Sequence, residues 1–185
     1  MKTLDVASLH DVIEATKKEI TNVTDKLTDV QTGVQGIIDL QYSLKGKTGD
    51  SIRSFYESIH EPFLIYLCES LSSYAEILDQ VQSAVSDYEG NDQGFVEEEF
   101  LDVDVQNGFD KVEKIAGELV DEANAILSSI SDLVSIPAID MEELGSAVQQ
   151  GKNKGKNQID QLHELDNDQI KTLSQVGEDQ QVLKQ

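Results

Sequence analysis

The residues able to do chemistry are few and poorly assembled. Gly46-Lys47-Thr48 has the ending of a phosphate-binding loop, G-x-x-x-x-G-K-[ST], in which backbone N–H groups cradle a phosphate and the lysine and hydroxyl engage it. The first glycine of that pattern is missing, since Gln41 stands there, and a helix rather than a strand precedes it. A turn between two helices accounts better for these residues. His10, His60 and His163 share no metal-ligand spacing, and His163-Glu164 lacks the second histidine that completes a zinc helix. Asp166-Asn167-Asp168 lacks the glycine and the distant glutamate of a calcium loop. Cys68 is the only cysteine, which excludes an intramolecular disulfide and any CxxC site. It lies beside Tyr66-Leu67 with no visible base, so it reads as a small half-buried side chain. No residue is assigned a catalytic, cofactor-binding or metal-binding role, and no cofactor is expected.

The elements that would have to position such groups are helices. Val6, Leu9, Ile13, Thr16, Ile20, Val23, Leu27, Val30, Val34, Ile37, Gln41 and Leu44 recur at alternating steps of three and four. That stripe predicts a helix of about 40 residues, roughly 60 Å at ~1.5 Å per residue, which must pair along its length. Leu44-Lys45-Gly46-Lys47-Thr48-Gly49-Asp50 breaks the pattern. Gly46 suits the left-handed conformation that closes a helix, Lys45 and Lys47 suit its negative end, and Thr48 or Asp50 suits the next N-cap. A second helix is expected from about Ser51 to Tyr88, with a kink or restart at His60-Glu61-Pro62.

Residues 90–102 read as an acidic connector between a hairpin over 1–89 and further helices over 103–185. The third helix carries Val105, Phe109, Val112, Ala116, Leu119, Ala123, Ile126, Ile130 and Leu133, with Asp102 or Asp104 as its cap, and ends at Ser135-Ile136-Pro137. The last helix starts near Ala138 and weakens at Gly151–Gly155, where Lys152, Lys154 and Lys156 mark a flexible joint or local charge balance. No strand pattern competes. The expected fold is all-α: an elongated antiparallel long-helix hairpin, extended by further helices into a coiled-coil-like bundle.

Charge narrows the partners. The 36 acidic and 14 basic side chains give a net charge of -22, which repels phosphate backbones and anionic membrane surfaces. Nucleic acid is excluded as a partner, and direct membrane insertion is not expected, because no segment is apolar enough to span a bilayer. From Ser54 to Asp110 no Lys or Arg occurs, which suits either a solvated acidic face or an electrostatic guide for a basic partner. The N-terminus lacks the apolar core of a signal peptide, so synthesis in the cytoplasm without a leader is expected.

Ser43-Leu44-Lys45-Gly46-Lys47-Thr48-Gly49 between two long helices, followed by Ile52-Arg53-Ser54-Phe55-Tyr56 and His60-Glu61-Pro62-Phe63-Leu64, resembles the LXG domain of bacterial polymorphic toxins. Leu44-Lys45-Gly46 corresponds to the naming motif. Gln161-Leu162-His163-Glu164-Leu165-Asp166 resembles the family's Leu-x-x-x-Asp segment, so the likeness covers nearly the whole chain. The resemblance implies a non-catalytic module that docks small helical-hairpin targeting or chaperone proteins and directs export through the type VII secretion machinery. It also implies a separate C-terminal toxic enzyme, met by a cognate immunity protein, which 185 residues of this pattern do not contain. Tyr88/Asp92, Phe95/Glu99, Phe100/Asp104 and Phe109/Glu113 resemble the Tyr-x-x-x-Asp/Glu export signal of that pathway, and Tyr88 with Asp92 is the preferred pair because it falls at a predicted helix end. The docking stripe is expected at Ile20, Leu27, Val34, Phe55, Tyr56 and Phe63. The alternative is a free-standing helical adaptor that self-associates through the same stripes.

Overall fold

A computed structural model describes residues 1–182; the last three positions of the expected helical region lie outside them. The chain is all-α apart from one short ladder. In order it forms β1 (Thr3–Asp5), α1 (Val6–Ile38), α2 (Gly46–Phe55), α3 (Glu61–Tyr88), β2 (Phe95–Glu97), α4 (Val105–Ser129) and α5 (Glu142–Val182), with single π-helical turns at Tyr56–His60 and Phe100–Asp104.

Two compact units can be drawn from these elements. One joins Asp5–Gly94 to the part of α5 from Leu165 onward, and the other joins Met1–Leu4 to Phe95–Glu164.

In the first unit α1 and α3 pair as an antiparallel hairpin. Lys17 Nζ meets Asp79 Oδ1 at 2.6 Å near one end, while Val34 and Leu64 share a cleft near the other. Ile13, Ile20, Ile77, Leu78 and Val81 form the buried centre, with Leu9, Leu71, Tyr74 and Val176 packed against it. Each such aliphatic side chain contributes about 1.5–3 kcal/mol when fully buried. Thr16 stays within the apolar seam because its hydroxyl donates to the Val12 carbonyl at 2.8 Å. Thr24 does the same to Ile20, so neither hydroxyl needs a partner across the seam.

Helix α1 starts at Asp5, whose carboxylate accepts the Ser8 backbone N–H at 3.0 Å and the Ser8 hydroxyl at 2.8 Å. Those bonds hold the Asp5 carboxyl below its ordinary pKa. The helix ends at Ile38, earlier than the stripe implies, so Gln41 and Leu44 belong to the connecting turn. Gly33 and Gly36 in its final turns lower helix propensity by about 1 kcal/mol each, which favours early termination. Lys45 and Lys47 therefore do not sit in its last turn, and Gly46, with φ +81°, opens α2 rather than closing α1. Thr48 and Asp50 lie inside α2 and cap nothing.

The expected disruption at Pro62 takes the form of a π turn. Proline has no N–H to donate and crowds the preceding turn. The backbone widens by one residue, the Glu61 N–H donating to the Tyr56 carbonyl, and α3 begins with Pro62 in its first turn.

Strands β1 and β2 are the elements that sequence periodicity missed. The Glu98 N–H donates to the Lys2 carbonyl and the Val6 N–H to the Gly94 carbonyl, each at 3.0 Å, so the strands run antiparallel. Leu4 and Val96 are the buried positions of the ladder. The segment 90–102 is consequently more than a connector, since it holds β2 and most of a π turn. Neither Asp102 nor Asp104 caps α4, because helical winding already begins before Phe100 and Asp104 has helical φ and ψ.

Helix α5 does not weaken at Gly151–Gly155; it runs unbroken from Glu142. Gly151 lies against the Phe109 ring, where any Cβ would overlap it, and a Cβ on Gly155 would lie 3.2 Å from the Gln106 amide nitrogen. Lys152 Nζ reaches Asp110 at 2.6 Å and Glu113 at 3.4 Å, and these contacts raise its pKa. The glycines and the lysine thus form a helix crossing. The start of α5 falls at Glu142, whose N–H donates to Asp140 Oδ1 at 3.1 Å.

Candidate docking surface

The Leu44-Lys45-Gly46 turn is built by two different glycine requirements. Gly46 has open space around it but a left-handed backbone, while Gly49 is buried against the Leu44 carbonyl with no room for a Cβ. Leu44 is half-buried, and its N–H donates to the Leu40 carbonyl at 2.7 Å. Lys45 is exposed.

Beyond the turn, α2 and the π segment carry aromatic rings that pack on each other outside the buried centre. Phe55 meets His60 edge-on at 5.0 Å between centroids, and Tyr56 stacks on His60 at 4.8 Å. Ile52, Phe55, Ile59 and Phe63 follow at steps of three and four, and all are exposed: Phe55 by 53% and Ile59 by 56%. Four large apolar side chains in so short a stretch form a patch of the kind that marks interaction sites. The π turn falls in its middle, which is where such turns are often found.

The expected docking stripe therefore divides. Ile20 and Val34 are buried in the α1/α3 seam and Leu27 is half-buried, whereas Phe55 and Phe63 are exposed and Tyr56 is half-buried. On α1 it is Val12, Val23 and Val30 that remain exposed. In the other unit α4 has no buried residue, and Val112, Ile115, Leu119 and Ile126 stand exposed on it. Ile115 was absent from the sequence stripe; a stripe drawn at steps of four and three through Val112 and Ala116 passes it by.

Tyr88 is the last residue of α3 and is half-buried, and Asp92 lies in the exposed turn that follows. That turn is held by the Gln93 N–H donating to Asn91 Oδ1 at 3.0 Å and the Gly94 N–H to the Asn91 carbonyl at 2.7 Å. Cys68 is half-buried on α3. His163, from the Leu-x-x-x-Asp segment, donates through Nε2 to Glu98 Oε1 at 3.0 Å. The Lys2 N–H donates to Glu98 Oε2 at 2.6 Å, and together these bonds hold the Glu98 carboxyl below its ordinary pKa, the His163 bond most strongly.

Among the described residues no group of three or more His, Cys, Asp and Glu side chains is placed to hold a metal ion, and no helix is long and apolar enough to cross a membrane. What the chain presents is apolar helix surface beside a glycine-built turn. The family model described as the LXG domain of the WXG superfamily matches residues 2–185. The chain belongs to the LXG family. It is similar to Toxin YxiD of Bacillus subtilis (strain 168), with 31% identity over 184 residues covering 100% of this chain and 32% of that protein. It is also similar to Toxin YwqJ of the same organism, with 26% identity over 165 residues, covering 89% of this chain and 27% of that protein. This chain thus spans less than a third of the length of each of these curated relatives, 32% of one and 27% of the other.

Proposed function

We propose that this LXG domain is a non-catalytic targeting and docking module of a polymorphic toxin. It binds small helical-hairpin proteins and directs export through the type VII secretion system. The observation that carries the reading is the exposed Ile52/Phe55/Ile59/Phe63 face beside the Leu44-Lys45-Gly46 turn, an apolar helix surface of the kind that another amphipathic helix covers. In this reading the toxic activity and its immunity partner belong to a region of the toxin outside these 185 residues. Tyr88 with Asp92, at the end of α3, is the proposed export signal.

Co-expression with the small proteins encoded beside it tests the proposal. A stable complex is expected with the native chain, and Leu44→Asp or Gly46→Val should reduce both complex formation and secretion. Unchanged co-purification and export in both variants would refute it. Light scattering over a dilution series checks the self-associating alternative, which requires concentration-dependent homo-oligomers indifferent to those partners.

A further inference from the structure

We infer that the exposed Ile52/Phe55/Ile59/Phe63 row takes a partner helix whose contacting stripe is uncharged, lying in line with α5 along one face of the α2–α3 rod. This deepens the docking reading and rests on it for the claim that a helix binds there. The position and chemistry of that helix come from the face itself.

Farther along α3 the same face is already an interface. Phe63 and Val81 stand about five turns apart at ~3.6 residues per turn, so both fall on one line of the helix. Val81 is 6% exposed and Phe63 is 46% exposed. Val81 belongs to the buried centre against which Val176 of α5 packs, as does Ile77 one turn before it. The line is thus covered where α5 reaches the hairpin and bare where it runs on through Phe63, Ile59 and Phe55. A helix continuing the path of α5 would extend an interface that the fold has begun.

The flanks of the row are neutral in a chain of net charge -22. One position before each of its members stand Ser51, Ser54, Ser58 and Pro62, all exposed, and these form the outer flank. The Ser51 hydroxyl donates to the Lys47 carbonyl at 2.9 Å and the Ser58 hydroxyl to the Ser54 carbonyl at 2.5 Å. Neither hydroxyl therefore needs a new partner when a helix displaces water from it. On the inner flank Arg53 is engaged by Asp50, and Tyr56 stacks on His60. Glu57 and Glu61 come two positions after Phe55 and Ile59, roughly 200° round the rod at ~100° per residue, on its opposite side. A Lys, Arg or Glu pressed onto this row would lose water with no opposite charge to meet. Leu, Ile or Ala flanked by small neutral residues incurs no such cost. A second copy offers the same row, but its own net charge of -22 opposes the approach.

The test uses the whole chain and three synthetic helical peptides. They share one Leu/Ile stripe and one outer face, and differ only at the positions flanking the stripe, which are Ser/Ala, Lys or Glu. Fluorescence anisotropy at about 0.3 M salt, where exposed charges are largely screened, should report the neutral peptide binding at least about tenfold tighter than either charged one. Its affinity should change by less than about twofold between low and high salt. Ser54→Arg/Ser58→Arg should weaken it by at least about tenfold, while Glu57→Gln/Glu61→Gln, on the opposite side, should leave it unchanged. Ile59→Ser/Phe63→Ser should abolish it, with circular dichroism checking that the helices persist. Hydrogen exchange should slow on binding along α2 and the first turns of α3, and not along α4. Equal affinity for the three peptides, tightest binding of the Lys peptide, or equal losses from the serine and glutamate pairs overturns the inference. So does a concentration-dependent dimer that Ser54→Arg/Ser58→Arg dissolves, since it assigns the face to a second copy. Co-expression separates the two claims. A neighbouring small protein that co-purifies equally well with the Ser54→Arg/Ser58→Arg chain refutes this placement and leaves docking standing. Absence of any co-purifying neighbour refutes docking, and the peptide series still decides the chemistry of the face.

Discussion

Gly49 is packed directly against Leu44: a Cβ at this glycine would overlap the Leu44 carbonyl and lie 3.2 Å from its Cγ. The Leu44-Lys45-Gly46 turn therefore depends on a glycine outside that triplet. Gly46 is needed for its backbone angle and Gly49 for its lack of volume, and the two needs respond differently to substitution. Gly46→Ala should cost about 1–2 kcal/mol, the penalty of a left-handed alanine, and Gly46→Asn less. Gly49→Ala should cost about 1–3 kcal/mol by overpacking, with Asn giving no relief there. Chemical denaturation followed by circular dichroism separates the cases, and equal tolerance of Asn at both positions would contradict this division.

A sign, rather than a magnitude, decides the role of Gly151. At a flexible joint within a helix, Gly151→Ala would stabilise the chain by about 1 kcal/mol through helix propensity. Against the Phe109 ring it should destabilise instead, by about 1–3 kcal/mol. The double variant Gly151→Ala/Phe109→Ala should cost less than the two single losses added together, because the smaller side chain admits the new methyl. Thermal unfolding of the three variants is the measurement.

The difference between these glycines explains how far the sequence could be read. The α1 and α3 stripes were legible because one helix buries the other along a repeating face, and Ile13, Ile20, Ile77 and Val81 are its products. Gly151 and Gly155 look like a break in any one-dimensional reading; what they do depends on Phe109 and Gln106, over forty residues away. The β1/β2 ladder escaped for a related reason. Three residues are too short for alternation to register, and the pairing of Lys2 with Glu98 is set by tertiary structure. At the candidate surface, the residue types of Phe55 and Phe63 were visible, but periodicity does not say which side of a stripe is covered. It therefore grouped them with Ile20, which the hairpin buries.

The connection between α4 and α5 hangs on one amide. Asn124 Nδ2 donates to the Ile139 carbonyl and its Oδ1 accepts the Ile139 N–H, both at 2.8 Å. Asn124→Ala removes both bonds and should cost about 1–3 kcal/mol at ~1 kcal/mol or slightly more for each. Hydrogen exchange should accelerate at Ile139 and its neighbours while the amides in the middle of α4 keep their protection. Unaltered exchange at Ile139 would mean that the loop is held by something other than Asn124.

Glu98 gives the ladder region a pH dependence with a definite sign. Its carboxyl is held below the ordinary 4.5 by the His163 bond first and the Lys2 N–H second. A depressed carboxylate contributes its full stabilisation above the unfolded pKa and loses it as pH falls through the lower folded value. The loss therefore belongs to the acid range below about pH 4.5 and is absent at neutral pH. Melting temperatures measured from neutral pH down to about pH 3 should fall less steeply for Glu98→Gln than for the native chain. His163→Ala should remove part of the same slope. Parallel curves for all three proteins would rule out this contribution.

Stability and docking should be separable by substitution, because the two apolar populations occupy different surfaces. Ile77 is only 6% exposed within the hairpin centre, whereas Ile59 is 56% exposed on the candidate surface. Ile77→Ala should cost about 2–5 kcal/mol, combining lost burial with the cavity left behind. Ile59→Ser should change stability by no more than about 0.5 kcal/mol, since it uncovers nothing and buries no unsatisfied hydroxyl. The same Ile59→Ser chain should nevertheless retain less of its small helical partners in co-purification, while Val23→Ser, an exposed change on α1, should retain them. A large loss of stability from Ile59→Ser would make that residue part of the fold's own packing. Undiminished partner recovery would instead remove it from the docking surface.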